Sequence, residues 1–234
     1  MGALADALPR PDLEVLGLLP RSSNNALLVR VGGGEASDLA VYKPIAGERP
    51  LWDFPEGSLC LREVAASLVA AELGWPRIPH AELVEGPFGP GVLSAFVPFD
   101  PAQHFFTLRD AHPGAMRRIA AFDVVANNAD RKGGHCLLAE DGGIVSIDHG
   151  LTFHVEPKLR TVIWDYVGDP LPDDDAADLR RLEGALAGGP LREALDPLLD
   201  PEEIVATVER LRTLLAEGRF PEPRTEPVVP WPPV

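Results

Sequence analysis

The first third of the chain alternates short apolar runs with polar or glycine-rich breaks. Residues 13–19 (Leu-Glu-Val-Leu-Gly-Leu-Leu) and 26–31 (Ala-Leu-Leu-Val-Arg-Val) flank Arg21-Ser22-Ser23-Asn24-Asn25, and Gly32-Gly33-Gly34 leads to Leu39-Ala40-Val41-Tyr42-Lys43. Runs of this length bounded by turn formers read as strands of an antiparallel meander. The period then changes. Leu61, Val64, Ala65 and Leu68 recur at helical spacing over about 59–73, with Ser58 in position to cap the start and Gly74 with Pro76 to stop the end. Glu63 lies off that apolar stripe. A further strand is expected over 91–97, ending at Pro98 and linking to the second half.

Helical spacing returns over about 114–127 and gives way to a polar loop, Asn127-Asn128-Ala129-Asp130-Arg131-Lys132-Gly133-Gly134-His135. Two short apolar runs around Glu140-Asp141-Gly142-Gly143 predict a hairpin whose second strand delivers Asp148-His149-Gly150. Asp173-Asp174-Asp175 precedes a helix expected near 176–187 and reads as its solvated N-terminus. Asp200-Pro201-Glu202-Glu203 opens another, with Ile204, Val208, Leu211 and Leu215 as its stripe and Gly218 as its stop. Prolines at 221, 223, 227, 230, 232 and 233 predict an extended tail over 221–234.

The 234 residues suffice for a sizeable core, and 45% hydrophobic with 24% charged residues is ordinary globular usage. Acids outnumber bases 36 to 21, a net charge of -15. Nucleic-acid binding or constitutive docking on anionic membrane calls for a basic face, so neither is an expected primary role. No apolar run is long enough for a membrane span, and the first residues lack the basic and apolar regions of a signal peptide. A cytoplasmic protein without stable membrane insertion is expected. Its two cysteines, Cys60 and Cys136, make no disulfide framework. Only Lys43, Lys132 and Lys158 are lysines, so each invites a reason.

Phosphoryl transfer needs a cation on the nucleotide phosphates, carboxylates for a divalent metal, and an acid to orient the attacking hydroxyl. Four residues occur in that order along the chain. Lys43 ends an early strand and would contact phosphates, with Glu63 fixing it by an ion pair; Asp130 would orient or accept the acceptor proton; Asp148 would bind metal.

Those residues sit in the stretches Val41-Tyr42-Lys43-Pro44, Glu63-Val64-Ala65-Ala66-Ser67-Leu68-Val69, Asn128-Ala129-Asp130-Arg131 and Ile147-Asp148-His149-Gly150-Leu151-Thr152-Phe153. In sequence and order they resemble the phosphatidylinositol 3-/4-kinase superfamily over about residues 20–170. The likeness is greatest to the type II 4-kinases and to short actinobacterial proteins placed beside them. It implies an α+β, two-lobed protein-kinase-like fold, with a small antiparallel-sheet N-lobe over 1–97 and a mainly helical C-lobe over 98–220. It also implies ATP with magnesium, or manganese as the softer alternative, in the cleft. Catalytic roles fall to Lys43, Glu63 and Asp130. Ser22, Ser23, Asn24, Lys43, Ala95, Phe96 and Val97 fall on the nucleotide side, and Asp148 and His135 at the metal. The expected partners are ATP and a hydroxyl acceptor in a protein, a small molecule or an inositol lipid.

Two positions depart from the superfamily pattern. The asparagine usual five residues after the catalytic aspartate is His135 here, and imidazole is a softer ligand than magnesium prefers. The loop around Ser22-Ser23-Asn24-Asn25 has no glycine triad. Two other functions stand beside the kinase: a nucleotide-binding pseudokinase, and a metal-dependent hydrolase in which His135 and His149 join Asp130 and Asp148.

Overall fold

The computed structural model describes residues 8–19, 24–32, 38–224 and 226–234. Strands β1 (Leu13–Leu18), β2 (Leu27–Val31), β3 (Asp38–Pro44), β4 (Ala81–Gly86) and β5 (Gly89–Ala95) form one antiparallel sheet in the order β1-β2-β3-β5-β4. Ala40 and Tyr42 of β3 share a buried face with Val29, Val84 and Leu93. The strand period of two therefore sends Lys43 to the opposite face. Its cross-strand partner there is Val92, which packs on Cys60 and Val64 of the following helix. β3 and β5 approach closely at this point. A Cβ on Gly91 would stand 2.4 Å from the Lys43 carbonyl oxygen, so only glycine fits.

That helix, α1 (Leu59–Leu73), has the expected bounds and a left-handed Gly74 stop, but Ser58 does not cap it. The Ser58 hydroxyl donates to the Pro55 carbonyl instead. The Glu48 carboxylate accepts the Leu59 and Cys60 N–H groups at 3.2 and 2.8 Å. A full negative charge suits the positive helix end better than a hydroxyl. It also ties the start of α1 to the turn that follows β3. Nor is α1 amphipathic as the stripe suggested. Arg62, Ala66 and Ala70 are buried as well, while Leu61 and Leu68 are only partly so.

The second half contains α2 (Phe105–Leu108), α3 (Pro113–Ala126), the hairpin β6 (Cys136–Leu138) and β7 (Ile144–Ser146), α4 (Asp173–Ala187), α5 (Pro190–Leu195) and α6 (Pro201–Glu217). The architecture is α+β, a small antiparallel-sheet lobe followed by a mainly helical one. The main core joins α1 to the helices through Val69, Leu73, Phe122, Leu182 and Leu211. β4, α2 and α5 are absent from the sequence reading: α2 and α5 are too short to establish a helical period, and β4 (Ala-Glu-Leu-Val-Glu-Gly) has a weak apolar pattern that runs into Gly86-Pro87. β5 runs from Gly89 to Ala95, earlier than expected, and leaves Phe96 and Val97 in the link. The three aspartates 173–175 form the first turn of α4, and Asp175 is buried against Arg118, so this end is not simply solvated.

Both cysteines are free and buried, and burial pushes the Cys136 thiol up to about 12. The proline-rich tail makes no helix or strand among the described residues. It lies back on the helical lobe, where the Val228 carbonyl accepts N–H groups from Thr161 and Trp164, and that of Pro233 accepts from Gly133. No helix among the described residues is long and apolar enough to cross a membrane.

α1 is anchored to the helical lobe by a buried charge pair. The Arg62 guanidinium donates to the Thr152 carbonyl and to Glu203, whose other carboxylate oxygen accepts the Asp200 N–H that opens α6. Removing one member of such a pair strands the other charge in the interior. Glu203→Ala is expected to lower unfolding free energy by about 3–5 kcal/mol in urea titrations. A change within the range of a surface mutation would show that the pair does not anchor α1.

Candidate active site

The strand, the helix and the hairpin deliver three charged side chains to one point. Lys43 Nζ lies 2.7 and 3.0 Å from the two Glu63 carboxylate oxygens and 3.2 Å from Asp148 Oδ1. Lys43 and Glu63 are largely covered, and Asp148 is the more open partner at 38% side-chain exposure. Burial works against the Lys43 charge, but Asp148 and Glu63 outweigh it and raise its pKa above the ordinary lysine range. Lys43 in turn draws the Asp148 carboxyl well below the usual carboxylate range, against burial. Burial pushes Glu63 up, and Lys43 pulls it partly back. Asp148 follows β7 at φ +59°, a conformation non-glycine residues rarely adopt and one that collects at functional sites.

Asp130 sits in the loop after α3. Its backbone N–H donates to Asn128 Oδ1 at 3.0 Å, and Lys132 Nζ lies 3.0 Å from its carboxylate. Burial raises its pKa, Lys132 opposes the rise, and Asp148 adds repulsion. The result is a carboxyl group better suited to accept a proton than a solvated aspartate is.

Sequence reasoning missed what holds this loop. Arg131 is fully buried, and its Nε and Nη2 donate to Asp123 of α3, also fully buried. Nη1 donates to the Ile147 carbonyl at 2.9 Å, and Nη2 lies 2.8 Å from His149 Nε2. Asn128 donates to the same Asp123 carboxylate at 2.9 Å. One ion pair thus fixes the neighbours of Asp130 and of Asp148 together. The available signal was an acid on the α3 stripe, Asp123, spaced eight residues before Arg131.

The two histidines part company. His135 Nε2 stands 3.3 Å from Asp148 Oδ2, and burial lowers its pKa to about 4, so the ring is neutral at pH 7. His149 is buried, and its Nε2 is held by Arg131 and by the Ser146 hydroxyl at 3.0 Å, so that nitrogen is already engaged within the fold. Among the described residues no three His, Cys, Asp or Glu side chains gather as a metal-holding group. Asp148 and His135 offer two adjacent donors. That set suits a cation whose other ligands are phosphates and water, not a resident centre made wholly by protein.

On the nucleotide side, Ser22 and Ser23 lie outside the described residues. Asn24 Oδ1 accepts the Arg49 N–H at 3.2 Å. Ala95 ends β5, and the Phe96 N–H donates to the Leu39 carbonyl, so Ala95, Phe96 and Val97 form the link between the lobes.

The chain is thus an α+β protein in which a strand lysine paired with a helix glutamate stands beside loops that carry two aspartates, between a small antiparallel-sheet lobe and a mainly helical one. The chain is 40% identical over 256 residues to Protein Rv2133c of Mycobacterium tuberculosis, a match covering 94% of this chain and 92% of the relative, and it belongs to that protein's family. Among solved structures it is similar to the proinflammatory kinase CtkA of Helicobacter pylori, at 12% identity and a TM-score of 0.48, over 88% of this chain and 98% of that one. No family model matches the chain.

The buried His149 gives the fold an acid sensitivity. Burial and Arg131 hold the His149 pKa well below its usual 6.5. The unfolded chain therefore takes up a proton that the folded one refuses, and stability falls as pH drops below about 6.5. His149→Gln is expected to lose less stability than the parent between pH 7 and 5, by up to about 1.4 kcal/mol per pH unit. Parallel pH profiles in denaturant titrations would remove His149 from the account.

Proposed function

We propose that this chain is an ATP-dependent phosphotransferase that moves the terminal phosphoryl group of ATP to a hydroxyl, by a cleft of the phosphatidylinositol 3-/4-kinase type. The observation that carries the reading is Lys43 Nζ within 3.2 Å of both Glu63 and Asp148. An ammonium group held between two carboxylates, near the end of the central strand of the sheet, is poised to exchange part of its pairing for phosphate oxygens. Glu63 keeps it aimed while it does so. Asp130 orients the acceptor hydroxyl and accepts its proton, helped by the raised pKa. Lys132 lies close enough to offset negative charge as it gathers there.

Asp148 and His135 would hold the divalent cation, which when bound screens the phosphates from the site's carboxylates. That screening matters in this chain. Among the described residues the charged groups paired with Glu63, Asp130 and Asp148 are Lys43 and Lys132, within a molecule of net charge -15, so nucleotide binding is expected to require the cation. The hydrolase alternative finds less support, because His149 is committed to Arg131 and Ser146. A pseudokinase differs from a kinase only in turnover, and turnover is what the variants below measure.

Thermal stabilisation by a non-hydrolysable ATP analogue, with and without magnesium, tests binding, since a ligand selective for the folded state must raise its stability. Lys43→Met should weaken nucleotide binding about ten- to hundredfold with the fold intact. Asp148→Asn should remove the magnesium-dependent share. Asp130→Asn should spare binding and cut phosphoryl transfer by about 10²–10⁴-fold. Equal loss of affinity in both aspartate variants would mean their roles are misassigned. An intact protein that binds no nucleotide under any condition would end the reading.

His135→Asn supplies the amide oxygen usual in the superfamily. It is expected to preserve or raise magnesium-supported turnover, because an amide oxygen is the harder ligand. A steep loss of turnover with unchanged nucleotide affinity would instead assign His135 to holding Asp148.

A further inference from the structure

A cavity of about 540 Å³ lies away from the candidate site, and none of Lys43, Asp130 or Asp148 lines it. It opens between the C-terminal end of α1, the starts of α3 and α4, and β7. We propose that it binds a small molecule bearing a phosphate or carboxylate on an apolar or aromatic body. Such a site stands whether or not the cleft transfers phosphoryl groups.

Three arginines reach its wall, and they are not equally committed. Arg118 Nε lies 2.8 Å from Asp175 Oδ1, neutralising that buried acid, and its guanidinium stands 5.6 Å over Trp75. Arg77 pairs with Asp141 at 2.6 Å, but both side chains are more than half exposed. A pair of that kind is worth at most about 1 kcal/mol and exchanges readily. Arg117 has no ion-pair partner among the described residues. Its guanidinium stacks 5.3 Å from the centre of the Tyr166 ring, and its Nε is buried without a hydrogen bond. With no carboxylate paired to it among the described residues, the Arg117 charge at the wall is open to an incoming anionic oxygen.

The backbone adds to the same sign. Gly114 and Ala115 open α3 at the cavity, and Pro172 with Asp174 opens α4 there. Neither preceding residue, His112 or Pro172, caps its helix through a side chain. First-turn N–H groups of two long helices are thus left at the wall, where an anion is favoured. Asp174 opposes this, but three guanidinium groups stand against two acids, and Asp175 is already matched by Arg118. Trp75, Ile119 and Ile144 supply the apolar surface for the rest of the ligand. The volume falls within the range of small-molecule sites.

Isothermal titration calorimetry of the full chain at low salt tests the site with phenyl phosphate, benzoate, inorganic phosphate and phenol. Saturable binding of phenyl phosphate or benzoate is expected, the stronger of the two naming the anion. Inorganic phosphate should bind more weakly, for want of the apolar body, and phenol should not bind. Arg117→Gln should weaken the better probe about tenfold or more. Arg77→Gln, at an exposed position, should weaken it severalfold and serves if the first variant does not fold. Lys43→Met should leave binding unchanged. No saturable binding of either anion at millimolar concentration overturns the proposal, as does phenol binding equally well. Binding that survives both arginine variants, or that Lys43→Met abolishes, places the anion elsewhere and overturns it too.

Discussion

A guanidinium with no exposure to water must find acceptors for its donors, and Arg131 finds them in Asp123, the Ile147 and His135 carbonyls and the His149 ring. These acceptors come from three stretches of chain: α3, the turn before β6, and the residues on either side of Asp148. Satisfying one buried cation therefore draws the Asp130 and Asp148 loops into a single arrangement. If the pair were absent, neither loop has a helix or strand of its own long enough to hold it. The cleft is a consequence of this constraint as much as of the two lobes around it.

The upper half of the site depends on a simpler device, the parity of β3. Tyr42 is buried under the sheet, so Lys43 must emerge on the α1 side, and the Glu48 carboxylate fastens the start of α1 to the turn that ends β3. Arg62, one residue before Glu63, locks the same helix to the opposite lobe. Glu63 is consequently positioned from both sides, by Glu48 toward the sheet and by Arg62 toward α6.

Much of this could be read from the sequence where a period or a stop was strong. The bounds of α1, α3 and α6 follow from helical spacing ended by Gly74, Asn127 and Gly218. The order of motifs predicts that Glu63 pairs with Lys43, and the two stand 2.7 Å apart; it does not predict the contact of Lys43 with Asp148, which is expected only as a metal ligand. Partners chosen by tertiary contact were not legible. Ser58 has the right identity and place for a cap, yet Glu48, eleven residues before Leu59 and joined to it only through the fold, takes the role. Asp123 looks like an interruption of an apolar stripe until Arg131 is folded beneath it. β4 has an apolar pattern too weak to outvote the loop-like glycine and proline around it. Arg117 and Arg118 read equally well as surface charges, since nothing local to α3 reveals a cavity at its start.

The division of labour between the two kinds of cation is a chemical one. Two of the three lysines are paired at the candidate site, Lys43 with Glu63 and Asp148 and Lys132 with Asp130, while Lys158 makes a buried pair with Asp53. The buried structural clamps, Arg62, Arg131 and Arg210, are arginines that reach several acceptors at once. A planar fork with five donors can satisfy carbonyls and a carboxylate together, whereas an ammonium is a compact charge on a flexible stem. The fork is suited to a permanent joint, because breaking it strands several partners. The ammonium can trade one oxygen for another at small cost. In a chain that uses lysine so sparingly, placing two of its three at the site separates what the fold must hold fixed from what the site must be free to exchange.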